Sequence, residues 1–257
     1  MPVFNRPQMV LDALASITQQ DIGSQQVEII VVDDGSQPAL ALPEGIGHMK
    51  LIRLSANKGT AAARNAGIEA SAGEYLAFLD ADDVWLAGKL TAQIAQFARL
   101  ATMEDKACLA LATGFYCPNW INGRLEGRIP EEAASLSDFV TGCWFAPGST
   151  LFLHRSAFDR VGLFDPQLRR LEDFDWFIRF GLKGGRVRVY PCLCAIVAPR
   201  ARAVVTTCSR PQMFSRQSSA RPANFRSQNQ TGIACEPIFI SKTPLRICGG
   251  PGAFSLR

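Results

Sequence analysis

Two acidic clusters in the first hundred residues carry the side chains best suited to chemistry. In the first, Asp80 and Asp82 stand two residues apart and Asp83 follows, directly after an apolar run. Neighbouring carboxylates repel each other unless a cation lies between them, and Mg²⁺ favours a few carboxylates together with substrate phosphates. These residues are therefore candidate ligands of a divalent cation. The alternative is structural, because Asp82 or Asp83 could cap the helix predicted to follow.

The second cluster is Asp33-Asp34-Gly35-Ser36, which ends the apolar run from Val27 to Val32. Its carboxylates could accept hydrogen bonds from a nucleobase or a ribose, although the same residues also suit an ordinary solvated turn. Both clusters follow predicted strands of one sheet, and parallel sheets bind ligands beyond the carboxyl ends of their strands. We therefore expect the two clusters to lie on one rim.

Two further segments place charged side chains near the starts of predicted helices. Arg64 lies one turn into a helix, where a guanidinium could meet a diphosphate. Glu172 and Asp173 open a later helix, and one of them could serve as a general base. A solvated helix face is the alternative for Arg64, and a favourable interaction with the helix dipole is the alternative for the two acids.

The pattern of apolar residues predicts the elements that would position these side chains. Apolar runs predict strands over 27–32, 50–54, 75–79, 107–116, 149–154 and 187–190, and a hairpin over 120–129. Helical periodicity predicts helices after Pro7, over 60–70, after residue 84 and over 172–182. The β-α-β-β-α order of the first hundred residues predicts an α/β fold, with a mostly parallel central sheet and helices on both faces.

Charge is distributed unevenly along the 257 residues. Residues 199–257 contain nine Lys and Arg and one acid, whereas residues 1–198 contain 18 basic and 22 acidic residues and carry a net charge of −4. The later segment is rich in Ser, Gln, Arg and Pro and shows no apolar period. We therefore expect a folded domain over 1–198 and a basic tail over 199–257 that is disordered or translated out of frame.

Several protein classes are disfavoured by the sequence. The eight cysteines lack CxxC spacing and the two histidines stand alone, which favours free thiols over disulfides or zinc. Neither a G-x-G-x-x-G after an early strand nor a Walker A motif is present. No apolar run has membrane-spanning length and no signal peptide is visible. We expect a cytoplasmic protein with peripheral membrane contact left open. We expect no nucleic-acid partner, although DNA binding by the basic tail is an alternative.

Six motifs, taken together, resemble those of family 2 glycosyltransferases, which have the GT-A fold. In chain order they are Pro2-Val3-Phe4-Asn5-Arg6, Val32-Asp33-Asp34-Gly35-Ser36, Asn57-Lys58-Gly59-x4-Arg64-Asn65-x-Gly67, Gly73-Glu74-Tyr75-x3-Leu79-Asp80-Ala81-Asp82-Asp83, Gly162-x-Phe164-Asp165 and Glu172-Asp173-x-Asp175-x3-Arg179. The first strand of the family normally begins several residues before the first motif. We therefore expect this strand to be truncated here.

The resemblance implies how the donor would be bound. The nucleotide side would be formed by Pro2, Phe4, Asn5, Asp33, Asp34 and Arg64. Asp80 and Asp82 would form the DxD motif, which holds Mn²⁺ or Mg²⁺ against the diphosphate.

The resemblance also implies the reaction. Asp173 would be the general base with Glu172 supporting it, and Gly148 and Ser149 would shape the acceptor side. The implied activity is inverting transfer of a sugar from a nucleoside-diphosphate donor, by default a UDP-sugar, to a hydroxyl of a saccharide or lipid-linked acceptor in cell-envelope polysaccharide synthesis. The alternative is a truncated, non-catalytic relic that at most binds sugar nucleotide, because a shortened first strand would damage the nucleobase pocket.

Overall fold

The computed structural model describes residues 1–23, 26–42, 48–119, 122–142 and 148–198. The basic tail predicted over 199–257 lies outside the described residues, and so does part of the hairpin predicted over 120–129. The domain boundary at residue 198 therefore stays a prediction. In the part of the chain that is described, no helix is both long enough and apolar enough to cross a membrane.

The described residues form nine strands and six α-helices. The strands are β1 Pro2–Val3, β2 Ile29–Asp33, β3 Met49–Arg53, β4 Tyr75–Ala77, β5 Val84–Trp85, β6 Leu109–Pro118, β7 Leu125–Arg128, β8 Phe152–His154 and β9 Arg186–Ile196. The helices are α1 Met9–Thr18, α2 Thr60–Ala70, α3 Lys89–Leu100, α4 Leu136–Phe139, α5 Ser156–Val161 and α6 Glu172–Leu182. A 3₁₀ turn over Gly148–Thr150, called here the 148–150 turn, precedes β8.

The first sheet is parallel and has the order β1-β2-β3. Every residue of β2 is buried, as the continuous apolar run predicts for a strand covered on both faces. On one face Val31 packs in the core that contains Leu14 of α1, and on the other Ile30 and Val32 pack against Ala63 of α2. The first strand is short, since β1 pairs with β2 over only two residues.

The second sheet is mixed and has the order β4-β8-β6-β9-β5, with β7 pairing with β6. Strands β6 and β9 are parallel: the chain runs antiparallel to β6 in β8 and reverses again through α5 and α6 before β9. Strands β6 and β7 are joined by a short connection and are antiparallel, as are β4 with β8 and β5 with β9. The α/β class expected from the sequence is confirmed, with parallel pairing throughout the first sheet and between β6 and β9 in the second.

The two larger of three apolar clusters among the described residues stabilise these layers. One includes Leu14 of α1, Val31 of β2 and Phe97 of α3. The other includes Phe158 of α5 and Trp176 of α6, whose rings lie 4.8 Å apart between centroids. Burial of large aromatic side chains is the main favourable term in such cores.

A cavity of about 660 Å³ separates the two sheets. It is lined by β2 at Ile29 and Ile30, by β4 from Tyr75 to Ala77, and by Ile17 and Ile94 from the two flanking helices. Among the residues described, β4 pairs with no strand other than β8, so one edge of β4 lies open along this cavity. The first sheet therefore meets the second through side chains rather than through a strand ladder.

The structure decides the alternative given for the acidic cluster. Helix α2 spans Thr60–Ala70, as the sequence predicts, and follows Gly59, whose φ is 94°. Helix α3 begins at Lys89 after Gly88, seven residues beyond Asp82, so neither Asp82 nor Asp83 caps it. The capping alternative for the acidic cluster is thereby removed, and its carboxylates have other partners.

Candidate active site

Arg64 is the buried centre of the site and joins two of the acidic segments. Its Nη2 donates to Asp80 Oδ1 at 2.9 Å and its Nη1 donates to Glu172 Oε1 at 3.1 Å. Its side chain is only 5% exposed. Burial alone would lower the pKa of the guanidinium, yet the charges of Asp80 and Glu172 raise the pKa of Arg64 above its ordinary value. The fork of the guanidinium thus holds the loop after β4 against the start of α6.

The third guanidinium nitrogen of Arg64, Nε, takes no part in these two ion pairs. Arg64 Nε is buried and has no hydrogen-bond partner among the described residues. A buried donor without an acceptor costs on the order of 1–3 kcal/mol. A phosphate or sugar oxygen that reached this nitrogen would recover that free energy, which fits the expected place of Arg64 beside the nucleotide.

The loop after β4, residues 80–83, has a different partner for each carboxylate. Asp80 pairs with Arg64, and Asp82 pairs with the guanidinium of Arg6. Asp83 is buried, accepts from Ser149 Oγ at 2.5 Å and accepts from the amide of Ala198 at 2.9 Å. Burial, together with the charge of Asp80, raises the pKa of Asp83 to about 6.

Ser149 ties the same loop to the 148–150 turn. Its Oγ accepts a hydrogen bond from the Asp80 amide at 3.0 Å while donating to Asp83. On the neighbouring residue, a Cβ on Gly148 would lie 3.2 Å from Arg64 Nη2, so a glycine lets the turn approach the guanidinium closely. Of the two residues expected on the acceptor side, Ser149 therefore contacts the loop of residues 80–83 and Gly148 lies against Arg64.

The two aspartates at the end of β2 point to different partners. Asp34 accepts from the amides of Lys58 at 2.7 Å and Gly59 at 2.9 Å, which fixes the loop ahead of α2. Asp33 is 1% exposed; it accepts from the amides of Ser36 and Leu40 in the turn that follows it and pairs with Arg53 Nη1, at the end of β3, at 2.9 Å. Burial would raise its pKa, but hydrogen bonds from Ser36 and the charge of Arg53 hold the pKa of Asp33 below its usual range. The structure thus gives Asp33 a role inside the loop.

The segment after β1 lies against the same turn. Asn5, with φ 53°, donates its amide to Ser36 Oγ at 2.9 Å and accepts from the Gln37 amide through Oδ1, also at 2.9 Å. Pro2 lies beside Val32 in the parallel ladder, and Phe4 remains 43% exposed. The residues expected on the nucleotide side therefore share one rim, at the carboxyl ends of β1 and β2, with an aromatic ring accessible to a ligand.

Asp173 lies in the first turn of α6, next to Glu172. Its Oδ1 accepts from the Phe174 amide at 2.9 Å, and no hydrogen bond from another described residue reaches its Oδ2. Asp173, Arg64 and Gly148 together line a small cavity of about 20 Å³. That volume suits a single water molecule and not a sugar ring. The expected base, the nucleotide-side arginine and the acceptor-side glycine are nevertheless brought to one place.

Among the described residues, Asp80 and Asp82 are the two carboxylates that the sequence predicts to bind a cation. Within the described ranges, no group of three His, Cys, Asp or Glu side chains is arranged to hold a metal ion. Both oxygens of Asp83 are engaged by Ser149 and Ala198, so Asp83 is not a third ligand. Asp80 and Asp82 alone fit a cation only when substrate phosphates complete its coordination, which is the arrangement that Mg²⁺ favours.

Two contributors to the site were missed by reasoning from the sequence. Arg6, which pairs with Asp82, directly follows the Asn5 position that was singled out, so its place in the first motif was an available signal. The engagement of Asp83 by Ser149 joins residues 66 positions apart and has no local sequence signal.

Residues 1–162 of the chain match the family described as Glycosyl transferase family 2. The chain belongs to this family. The match contains the motifs around β1, β2, α2 and β4 and ends before Glu172 and Asp173, whose roles therefore rest on geometry and resemblance.

The chain is also similar to named glycosyltransferases, at about 30% identity. The amylovoran biosynthesis glycosyltransferase AmsB of Erwinia amylovora is 27% identical over 195 residues, covering 70% of this chain and 62% of AmsB. The UDP-Glc:alpha-D-GlcNAc-diphosphoundecaprenol beta-1,3-glucosyltransferase WfgD of Escherichia coli is 31% identical over 102 residues, covering 38% of this chain and 40% of WfgD. The chain thus spans less than two thirds of the length of these relatives.

A solved structure confirms the fold. The crystal structure of S. aureus TarS 1-349 in complex with UDP-GlcNAc matches with a TM-score of 0.58 and 20% identity, covering 78% of this chain and 58% of that one. TarS has also been solved in complex with UDP, with the same TM-score. The α/β architecture expected of the family is therefore present here.

Proposed function

We propose that this chain supplies the donor-binding and catalytic part of an inverting, metal-assisted glycosyltransferase, which moves a sugar from a UDP-sugar to a hydroxyl of a saccharide or lipid-linked acceptor. The observation that carries the proposal is the double ion pair of Arg64. It joins Asp80 of the DxD motif to Glu172 beside the expected base, at the rim where Asp34 and Asn5 also lie.

The donor side of the proposal rests on three groups. The exposed ring of Phe4 and the rim around Asn5 are available for a nucleobase, and the buried Nε of Arg64, which has no partner among the described residues, would bond a diphosphate or sugar oxygen once a ligand entered beside it. Asp80 and Asp82 would hold Mn²⁺ or Mg²⁺. A divalent cation bound there supplies charge stabilisation to the departing diphosphate.

Arg6 would exchange partners in this scheme. In the structure its guanidinium occupies Asp82, the carboxylate expected to serve the cation. The Arg6 side chain is 49% exposed, so the ion pair is weak and easily replaced. Asp82 can therefore turn to a cation without a large penalty.

The acceptor side of the proposal rests on Asp173. An acceptor hydroxyl is a poor nucleophile near neutral pH, and a carboxylate positioned beside it can remove its proton as the new bond forms. Oδ1 of Asp173 is engaged by the Phe174 amide, so Oδ2 is the atom that would take the proton. Glu172 supports this role by anchoring the first turn of α6 to Arg64.

The relatives supply the class of substrate. WfgD is named for a UDP-glucose donor and a lipid-linked acceptor, AmsB for amylovoran biosynthesis, and TarS has been crystallised with UDP-GlcNAc. A UDP-sugar donor and an acceptor in polysaccharide synthesis at the cell envelope are therefore the first substrates to test.

The test is calorimetric titration of the full chain with UDP, with and without Mn²⁺, alongside Asp82→Ala. We expect UDP to bind in the presence of Mn²⁺ and the variant to lose the metal-dependent part of the affinity. Glu69→Ala, which removes an exposed carboxylate on the same helix as Arg64, is the matched control and should bind like the wild type. A folded wild-type chain that bound no UDP with any metal would overturn the proposal and favour the non-catalytic relic.

A further inference from the structure

Lys89 carries a buried amino group that the proposed reaction does not use. It opens α3 and is 0% exposed, with its Nζ donating to Gln93 Oε1 at 2.6 Å. The same Nζ lies 4.2 Å from the centroid of the Trp85 ring. Lys89 forms no salt bridge with any residue that the structure describes. Burying an ammonium is costly, so a lysine at this position calls for an explanation other than packing.

The two side chains that contact the Lys89 ammonium also hold the 148–150 turn. Trp85 Nε1 donates to the carbonyl of Ser149 at 2.8 Å, and Gln93 Nε2 donates to the carbonyl of Thr150 at 2.8 Å. Because the amide oxygen of Gln93 accepts from Lys89, its amide nitrogen must face the opposite way, toward Thr150. Nζ of Lys89 therefore fixes the orientation of the Gln93 amide, and it also covers one face of the Trp85 ring.

The 148–150 turn is itself hydrogen-bonded to the loop of residues 80–83. Ser149 Oγ accepts from the amide of Asp80 at 3.0 Å and donates to Asp83 at 2.5 Å. A displacement of the turn would move the point at which the Asp80 backbone is fixed. A continuous series of contacts thus runs from the Lys89 ammonium, through two side chains and one turn, to the first aspartate of the DxD motif.

We propose that Lys89 is a positioning residue, which orients Trp85 and Gln93 so that the 148–150 turn holds Asp80 where a cation and a diphosphate can be bound. This inference rests on the proposed function, since it concerns the same donor site. It assigns to α3 a part in donor binding, although the helix itself lies behind the sheet and its buried residues belong to the core.

The test compares two variants with different chemistry at one contact. Lys89→Met keeps a long side chain and removes the ammonium. Gln93→Glu keeps an acceptor for Lys89 and removes the nitrogen that donates to Thr150. Lys183→Met, which removes an exposed lysine after α6, is the control. Each protein is titrated with UDP alone and with UDP and Mn²⁺, and its thermal midpoint is recorded.

We expect both variants to weaken Mn²⁺-dependent UDP binding by about fivefold to tenfold, the equivalent of one or two net hydrogen bonds. Binding of UDP in the absence of metal should stay within about twofold, because the nucleotide rim lies on the other sheet. A residue with a merely structural part would lower the thermal midpoint and affect both affinities alike. Lys89→Met removes an amino group that is costly to bury but leaves the buried Gln93 Oε1 without its donor, so these two effects on the midpoint oppose each other and the ratio of the two affinities decides.

The outcomes separate this inference from the proposed function. A wild-type chain that binds no UDP with Mn²⁺ overturns both. A wild type that binds, together with Lys89→Met and Gln93→Glu variants of unchanged metal dependence, overturns the positioning role alone. If Lys89→Met does not fold, Gln93→Glu decides the question, because it retains the lysine and gives it a charged partner.

Discussion

Arg64 Nη1 and Glu172 Oε1 lie 3.1 Å apart although their residues are separated by 108 positions in the sequence. One belongs to the helix that follows the first sheet and the other to the last helix of the described domain. Their side chains are 5% and 13% exposed, so the pair is largely withdrawn from water. A buried guanidinium with two carboxylate partners is expensive to disturb, because removing it leaves both acids uncompensated.

Arg64→Lys should therefore destabilise the fold and impair donor binding together. A lysine presents a point charge in place of the planar fork and cannot bond Asp80 and Glu172 in the same geometry. We expect a loss of about 1–3 kcal/mol in the free energy of unfolding by urea titration. Arg169→Lys, an exposed arginine that contacts Asn57, should change the same quantity by less than about 0.5 kcal/mol. Equal losses in the two variants would contradict the bridging role.

Substitution of the two acids at the start of α6 should separate catalysis from stability. Asp173→Asn removes the proposed base while keeping its size, so transfer from whichever UDP-sugar the wild type turns over should slow by about 10²-fold or more with little change in thermal midpoint. Glu172→Gln removes a charged partner of Arg64, so its midpoint should fall. Retention of most of the turnover in Asp173→Asn would rule out that residue as the base.

Gly35 tests whether the rim can tolerate a side chain. A Cβ at this residue would lie 2.6 Å from the Ala56 carbonyl carbon, and its φ is +76°. Gly23 has a similar φ of +61°, and a Cβ there would meet nothing within 4 Å. Gly23→Ala therefore measures only the cost of placing a non-glycine residue at positive φ. We expect Gly23→Ala to cost about 1–2 kcal/mol and Gly35→Ala about 1–3 kcal/mol more, measured by urea unfolding. Similar values for the two variants would show that the loop around Ala56 yields readily.

The buried lysine predicts an unusual dependence of stability on pH. Burial lowers the pKa of Lys89 from 10.5 to about 7. Between those values the unfolded chain holds the proton and the folded chain does not, so the free energy of unfolding should rise with pH across this window. The difference between wild type and Lys89→Met isolates this contribution from other titrating groups. A difference that stays constant from pH 7 to pH 10 would mean that the folded chain keeps Lys89 protonated.

Local signals in the sequence explain which elements could be predicted. Helices α2 and α6 were predicted at Thr60–Ala70 and Glu172–Leu182, because apolar period and flanking glycine or acidic residues act within a few positions. Strand β2 was predicted because a run of β-branched residues that ends in a turn is typical of a buried strand. The mixed second sheet was not foreseen, because the direction of β8 depends on which strand it meets.

The arrangement of the site was predictable only in part. Placement of Asp34 and Asp80 at strand ends follows from the order of strands and turns. The partner of each carboxylate does not, since Ala198 reaches Asp83 across 115 positions and Arg6 reaches Asp82 across 76. Such contacts depend on the packed fold as a whole. The individual roles of these residues stay predictions until the variants are measured.

The cavity between the two sheets has a consequence for local unfolding of the molecule. With no strand ladder between β2 and β4 among the described residues, the first sheet can unfold locally, breaking its own β1-β2-β3 ladder, while the β6–β9 ladder stays intact. Backbone amides of Ile29–Asp33 should then exchange with deuterium faster than those of Leu109–Pro118. A sugar nucleotide held by Asn5 on one side and Asp80 on the other would link the two sheets. Its binding would therefore disfavour the local opening and slow that exchange.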